Sequence, residues 1–388
     1  MGAEHGRAHV GRGRSERASA EEHGEGVPRN GGDDAEASCS AESGRNDSGS
    51  GTRGGSDAGA RAISLILVLK YTQFKFVSGL RVATRRLCSF LFILLAASAA
   101  SAQQRAEVAI TVDDLPVHGD LPANTARAEI AKKIIEAFRA KGVPSVYGFV
   151  NAKNIGTKGD TEQNSVVKIW ADSGFPLGNH TFTHIDLNTA TVQAFEDEIV
   201  ANESVLNGLM GTRDWHWFRY PFLHEGDTLE KRHAVRKYLA EHGYKVAQVT
   251  LDFADYAWNN PYARCVEKKD SKAIEWLKSS YLQTAKDDIE LDRKLSVMLF
   301  GRDIKYVLLM HIGALDSILL PDLLDLFKKE GFDFISLEEA EKDPAYQSDP
   351  DAALKFGGTF LEQLTESKHL NYPPHAERPM DKLDAICR

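Results

Sequence analysis

The chain has 388 residues, of which 42% are hydrophobic and 27% charged, a composition typical of a globular protein and unlike that of collagens or multi-span membrane proteins. Its net charge of −9 arises after residue 102 and argues against non-specific binding to DNA or RNA, whose phosphates require a basic surface. A chain of this length can hold two average domains or one large barrel.

Residues 1–80 form a low-complexity prefix. Residues 1 to about 62 of this prefix are dominated by Gly, Ser, Ala, Arg and Glu and contain few large apolar side chains. Such a segment buries too little apolar surface to offset the entropy lost on ordering, so we predict that the prefix is disordered.

Residues 81–102 have the pattern of a secretory signal peptide. Arg85 and Arg86 precede an apolar run over 87–99, and the sequence Ala-Ser-Ala follows at 100–102. The apolar core is short for a bilayer span, and an uncleaved membrane anchor is the alternative. We therefore expect an exported bacterial protein, periplasmic or secreted, with no stable membrane span after cleavage. Because a signal peptide normally stands first, we hypothesise that translation starts near Val82 and that the prefix is a start-site artefact.

Two cysteines, Cys265 and Cys387, lie after the signal segment. In an oxidising compartment they could form one disulfide bridge or remain two free thiols.

From residue 107 onward the chain alternates short β-type apolar runs with amphipathic helical stretches. The predicted strands are 108–112, 145–150, 176–179, 215–219, 245–251, 306–310 and 333–336. The predicted helices include 128–141, 166–173, 192–209, 229–242, 273–299 and 322–330. Several of them are followed by a glycine suited to a left-handed cap, namely Gly142, Gly174, Gly211, Gly243 and Gly331.

This regular repeat predicts an α/β fold, a distorted (β/α)7-8 barrel of the TIM type, as a single catalytic domain over residues 107–340. In such a barrel the chemistry lies at the C-terminal ends of the strands. Residues 341–388 are predicted to be a solvated C-terminal extension packed on the barrel, with Tyr372 and His375 as candidate substrate contacts.

Polar residues follow the predicted strands at that same end. Asp113 and Asp114 follow the first strand, His180 and His184 the third, and His311 ends the sixth. Two histidines four apart lie on one face of a helical turn, and with a carboxylate they supply three metal ligands. A bound cation would relieve the repulsion between the adjacent carboxylates and leave one of them free as a base.

A His2Asp set with an open position binds Zn²⁺ and acidifies a water molecule, with Co²⁺ and Ni²⁺ as alternative ions. On the opposite side, His311 could protonate a leaving group. Taken singly, an isolated HxxxH pair or a lone strand-end histidine is more often structural.

Five ordered motifs resemble those of the polysaccharide deacetylases of carbohydrate esterase family four. The resemblance runs from about residue 109 to residue 340, and its motifs are TVDD (111–114), HTFTH (180–184), RYPF (219–222), DFADY (252–256) and LMH (309–311). The resemblance implies a chitin or peptidoglycan deacetylase-like hydrolase that acts on carbon–nitrogen bonds, with an acetylated glycan or oligosaccharide as substrate.

By the same resemblance each motif residue takes a role. Asp113 is implied as the base, with Asp114, His180 and His184 as the metal ligands. Arg219 is implied to hold Asp113, His311 to act as the general acid, and Asp255 to tune His311. The Phe222 N–H is implied to stabilise the oxyanion. Further implied substrate contacts are Tyr220, Tyr256, Trp258 and Leu309.

The fourth motif departs from the family pattern. The family has Asp-Trp where this chain has Asp255 and Tyr256, with a tryptophan only at Trp258, so the shape of the acetyl pocket is open. Asp252 is an alternative partner for His311.

Two rival functions remain at this stage. One is an amidohydrolase that acts on a small non-sugar amide in the same barrel, and the other is a non-catalytic carbohydrate-binding protein. The complete set of base, ligands and acid argues against the second, but a fold by itself does not identify a substrate. The sequence does not indicate an oligomeric state.

Overall fold

The computed structural model describes residues 105–153, 155–156 and 161–388 of the chain. The predictions for residues 1–80 and 81–102, including the signal peptide and the start near Val82, lie outside the described residues.

Seven parallel strands form one sheet, and each matches a predicted strand. They are β1 (Ala106–Leu115), β2 (Val146–Val150), β3 (Leu177–Asn179), β4 (Trp217–Phe218), β5 (Lys245–Val246), β6 (Lys305–His311) and β7 (Phe332–Ile335). The strand order is β5-β4-β3-β2-β1-β6, and β7 pairs with the first half of β1.

Ten α-helices connect or follow these strands in the described part of the chain. They are α1 (Arg127–Ala140), α2 (Thr161–Asp172), α3 (Val192–Met210), α4 (Leu229–Glu241), α5 (Tyr256–Glu267), α6 (Ser271–Phe300), α7 (Ala314–Lys329), α8 (Leu337–Ala340), α9 (Phe360–Ser367) and α10 (Met380–Ala385). None of the described helices has both the length and the apolar character required to cross a bilayer.

The backbone after β5 joins the two edges of the sheet. The Leu251 N–H donates to the Val307 carbonyl at 3.0 Å, and the Leu309 N–H donates to the Leu251 carbonyl at 3.0 Å. The segment that leaves β5 therefore pairs with β6, and the sheet curls into a distorted barrel with helices around it, as the sequence predicts.

Alternation along the strands separates the interior of the barrel from the layer under the helices. In β1, Val108 and Ile110 belong to the large core between sheet and helices, whereas Ala109 belongs to a small cluster inside the barrel. In β6, Val307 lies in the inner cluster and Leu308 in the outer core. The same alternation carries Asp113, four residues after Ala109, to the interior face.

Some helix boundaries differ from the prediction. The last barrel helix, α7, begins at Ala314 and not at 322, because it continues through Pro321 while its leucines pack into the core. The segment that forms α5 was not predicted as a helix, and it also contains a proline, Pro261. All five glycines named as helix caps have positive φ.

Cys265 and Cys387 form a disulfide bond, with their Cα atoms 5.2 Å apart. The bond joins α5 to the residues just after α10, so it attaches the end of the chain to the barrel. Of the two alternatives left open by the sequence, the structure has the bridge.

Candidate active site

Asp113 and His311 are neighbours in the pairing of β1 with β6, at the C-terminal ends of both strands. They lie in a cavity of about 840 Å³, which is also lined by Asp114, His180 and His184. The parallel arrangement thus collects at one end of the barrel the five residues that the sequence placed after three different strands.

Asp114, His180 and His184 converge on one point. The Oδ1 atom of Asp114 lies 3.4 Å from Nε2 of His180 and 3.3 Å from Nε2 of His184. This Oδ1 is buried and has no hydrogen-bond partner among the described residues. A buried carboxylate oxygen without a partner is costly, and a cation held between it and the two ring nitrogens would satisfy all three atoms.

Hydrogen bonding and burial suit the two histidines to metal binding. Nδ1 of His180 lies 2.8 Å from the Arg219 carbonyl, an acceptor, so this nitrogen carries the proton and Nε2 keeps its lone pair. Burial, and next the neighbouring His180, lowers the pKa of His184 to about 4. The residues present therefore fit a divalent metal ion.

Asp113 is held by a buried arginine. Nη1 of Arg219 lies 3.1 Å from both carboxylate oxygens, while Nε donates to the Ala247 carbonyl at 2.8 Å and Nη2 to the Thr111 hydroxyl at 3.1 Å. The guanidinium also lies over the Phe149 ring, 4.7 Å from its centroid. With all three of its side-chain nitrogens hydrogen-bonded, Arg219 fixes Asp113 beside His180, whose Nε2 is 3.8 Å away.

His311 pairs with Asp255 and not with Asp252. Nδ1 of His311 lies 2.7 Å from Oδ1 of Asp255, and the His311 backbone N–H donates to Oδ2 at 2.7 Å. Burial opposes the charged imidazole, but the Asp255 carboxylate outweighs it and raises the pKa of His311 to about 10. Nε2 of His311 lies 3.9 Å from Oδ2 of Asp114.

Four of the five expected substrate contacts line the cavity, namely Tyr220, Phe222, Tyr256 and Leu309. Trp258 does not, and that expectation is wrong. Its side chain is fully buried, packs against Tyr281 and donates from Nε1 to the Ser280 hydroxyl at 3.0 Å. Tyr256 and Trp258 are two positions apart in α5, so they point to opposite sides of the helix.

Sequence reasoning missed His118. Its Nδ1 lies 2.8 Å from Oδ2 of Asp114, and its ring lies 4.5 Å from the ring of His311. A signal was present, because His118 is only four residues beyond Asp114 at the same strand end. The alternation that identified the other residues does not extend into this loop.

The C-terminal segment also builds the site. Tyr372 lines the cavity as expected, whereas His375 does not. Further lining residues that the sequence did not single out are Leu354, Lys355, Phe356, Gly357, Gly358, Glu362, Glu366 and Arg378.

Comparison with known proteins locates the similarity in the first part of the barrel. Residues 100–247 match the family model described as polysaccharide deacetylase. The chain is 28% identical over 152 residues to a peptidoglycan-N-acetylglucosamine deacetylase of Bacillus cereus. The aligned residues cover 39% of this chain and 47% of that protein. It is 26% identical over 154 residues to a chitin deacetylase of Arthroderma benhamiae. This alignment covers 40% of this chain and 36% of that protein.

The chain thus spans less than half the length of these curated relatives. Among solved structures, it resembles the chitin deacetylase of Colletotrichum lindemuthianum, with 18% identity and a TM-score of 0.42. That likeness covers 61% of this chain and 88% of the other.

Proposed function

We propose that this chain, whose residues 100–247 match the polysaccharide deacetylase model, is a metal-dependent hydrolase of N- or O-linked acetyl groups on a carbohydrate that contains N-acetylglucosamine. One observation carries the proposal: the two adjacent carboxylates have different partners. Asp113 is fixed by Arg219, whereas Asp114 presents an unpartnered oxygen to two histidines.

In this proposal Asp114, His180 and His184 hold the metal. The set of one carboxylate and two imidazoles favours Zn²⁺, with Co²⁺ and Ni²⁺ as alternatives. When bound, such an ion polarises the acetyl carbonyl and increases the acidity of water.

The remaining steps belong to the side chains around it. Asp113 accepts the proton of the attacking water, and Arg219 keeps its carboxylate oriented toward His180. His311, protonated and oriented by Asp255, donates its proton to the leaving nitrogen or oxygen as the bond to the acetyl carbon breaks. Water is consumed, and acetate and the free amine or hydroxyl are released.

The positions of base and acid support this assignment. Oδ2 of Asp113 lies 3.8 Å from Nε2 of His180, and Nε2 of His311 lies 3.9 Å from Oδ2 of Asp114. The base and the acid thus lie on either side of the three proposed metal ligands, within one cavity. The backbone of Phe222, in the left-handed region with φ of +59°, brings its ring against His184 with centroids 4.3 Å apart. We assign its N–H to the oxyanion.

Export remains part of the proposal. The Cys265–Cys387 disulfide supports it, because such bonds persist in oxidising compartments such as the periplasm or the cell exterior.

Acetate release tests the proposal. The purified protein is incubated with chitin oligomers, peptidoglycan fragments and acetylated xylan, before and after chelation and after restoration of Zn²⁺. We expect release that chelation abolishes and Zn²⁺ restores. Tight Zn²⁺ binding without acetate would favour the amidohydrolase alternative, and absence of both would favour the carbohydrate-binding protein.

Two variants separate metal binding from catalysis. Asp113→Asn should retain Zn²⁺ and lose turnover by about 10²–10⁴-fold, because it removes the base and leaves the ligands. His184→Ala should lose both, and the exposed His242→Ala serves as the matched control. Wild-type turnover in Asp113→Asn would exclude Asp113 as the base.

A further inference from the structure

Each oxygen of the Asp114 carboxylate faces two histidine rings. Oδ1 lies beside His180 and His184, the two imidazoles assigned to the proposed catalytic metal. Oδ2 lies 2.8 Å from Nδ1 of His118 and 3.9 Å from Nε2 of His311. The ligand atoms of Asp114, His118 and His311 all lie within 4.8 Å of one another. A donor set of one carboxylate and two imidazoles therefore occurs twice around a single side chain.

His311 presents its free nitrogen to this second set. Its Nδ1 lies 2.7 Å from Oδ1 of Asp255, and its backbone N–H donates to Oδ2 of the same carboxylate at 2.7 Å. A carboxylate on one ring nitrogen is the usual support of a metal-binding histidine, because it orients the ring and makes the other nitrogen a better donor. Nε2 of His311 is therefore the atom suited to bind a cation, and it faces Asp114.

His118 lies on a loop that its neighbours hold in place. Nη2 of Arg127 donates to the Gly119 carbonyl at 3.0 Å. The Tyr256 ring packs edge-on against both histidines, with its centroid 6.2 Å from that of His118 and 5.4 Å from that of His311. These contacts keep the two imidazoles side by side, with centroids 4.5 Å apart.

The second set is open to the cavity. Asp114, His118 and His311 all line it, and their side chains are 15%, 20% and 12% exposed. An ion can therefore enter from solvent, and water can complete its coordination. Asp255, which lies behind His311, adds a negative charge that stabilises a cation here.

We propose that Asp114, His118 and His311 form a second metal site, in which Asp114 bridges two divalent ions through its two oxygens. The site itself is independent of the proposed function, and its effect on activity rests on that function. Imidazole ligands favour a borderline ion such as Zn²⁺, whereas Mg²⁺ and Ca²⁺ prefer oxygen. Two-metal hydrolases hold their ions about 3.5–4 Å apart, a separation that one bridging carboxylate can span.

Occupation of this site removes the proposed general acid. Nε2 of His311 gives its lone pair to the second ion, and the proton held there leaves to solvent, so no proton remains for the leaving group. Nδ1 of His118 likewise exchanges its hydrogen bond with Asp114 for the ion. His180 and His184 are not involved. The enzyme is therefore active with one ion and inhibited by the second.

Metal content tests the site without reference to turnover. The purified protein is titrated with Zn²⁺ by calorimetry, and the zinc bound per chain is determined after dialysis. We expect two ions in the wild type and one in His118→Asn, whose amide can donate to Asp114 but is a poor zinc ligand. The exposed His242→Ala should bind two. One ion in the wild type, or two in His118→Asn, would overturn the second site.

The rate of acetate release at increasing free Zn²⁺ provides the second readout. With chitin oligomers, we expect the wild-type rate to rise and then to fall by about 10²–10⁴-fold, the usual contribution of a general acid. The rate of His118→Asn, relative to its own maximum, should rise and then stay level over the same range. An equal fall in His118→Asn would show that zinc inhibits elsewhere and would contradict the proposed inhibition.

The outcomes distinguish this proposal from the proposed function. One bound ion, with acetate release that excess Zn²⁺ does not inhibit, would overturn the second site and leave the deacetylase function intact. Two bound ions that decrease to one in His118→Asn, without acetate release from the wild type, would support the second site and contradict the deacetylase function.

Discussion

Asp114 has a different partner on each of its carboxylate oxygens. Oδ1 faces His180 and His184, while Oδ2 accepts a hydrogen bond from Nδ1 of His118 at 2.8 Å. Burial alone would raise the pKa of Asp114, but the hydrogen bond from His118, followed by the neighbouring His180 and His311 rings, brings it well below its usual value. His118 thereby keeps the carboxylate ionised and decides which oxygen faces the proposed metal.

Replacing His118 should therefore weaken metal binding. We expect His118→Ala to reduce Zn²⁺ affinity by about 10–100-fold, the usual effect of losing a group that orients a ligand. His118→Asn, which retains a short side-chain N–H donor, should recover part of the loss. Competition with a chromophoric chelator measures the affinity without reference to acetate release.

The exposed His242→Ala is the control for this series. If His118→Ala bound Zn²⁺ with wild-type affinity, the hydrogen bond from His118 would not be needed to orient Asp114.

Which site residues could be predicted depended on their local backbone. Asp113 and His311 could be predicted because strand alternation and parallel pairing determine where a strand end points. The sequence could not predict whether Asp252 or Asp255 partners His311, because the answer depends on the position at which α5 begins. Asp255 is the N-cap of that helix, and the helix also turns Trp258 into the core.

At the scale of elements, the positions of all seven strands could be predicted, but the lengths of β1, β4 and β5 could not. The run 245–251 reads as one strand, yet only Lys245–Val246 pairs with β4, and Leu251 pairs with β6. Apolar composition indicates extended backbone but does not say with which neighbour it pairs. The early start of α7 was missed because Pro321 resembles a helix boundary.

The short helix α8 ends at a buried carboxyl that couples its stability to pH. The Gln248 N–H donates to Oε1 of Glu341 at 2.8 Å, and burial raises the pKa of Glu341 from 4.5 to about 8. Between these two values the folded state binds more protons than the unfolded state. The free energy of unfolding therefore falls as the pH rises from about 4.5 to 8.

Glu341→Gln should remove this dependence, because the amide oxygen can accept the same N–H without ionising. We expect the variant to be more stable than the wild type at pH 8, by a free energy of unfolding on the order of 1–3 kcal/mol, and equally stable near pH 4. Urea denaturation at both pH values measures the difference. The exposed Glu275→Gln is the control, and a Glu341→Gln protein without a pH-dependent advantage would contradict the assignment.

At the scale of the whole molecule, the segment predicted as a solvated extension is built into the barrel. Arg378 pairs with Asp288 at 3.0 Å and donates to the Asp252 carbonyl, and Asp349 pairs with the buried Arg232 at 2.7 Å. These contacts join residues that are 90 or more positions apart, so no local sequence pattern predicts them. They hold the segment that contributes Phe356 and Tyr372 to the cavity.

The Cys265–Cys387 bond adds a covalent connection across 122 residues. A bond across so long a loop restricts the unfolded chain strongly, so the double variant Cys265→Ser, Cys387→Ser should lose about 2–5 kcal/mol in the free energy of unfolding. Because neither cysteine lines the cavity, kcat at low temperature should remain that of the wild type. Urea denaturation with and without reductant measures the loss: reductant should lower the wild-type midpoint to that of the double variant and leave the variant unchanged. Equal midpoints for the oxidised wild type and the double variant would mean that non-covalent contacts, such as those of Arg378 and Arg232, are sufficient to hold the C-terminal segment in place.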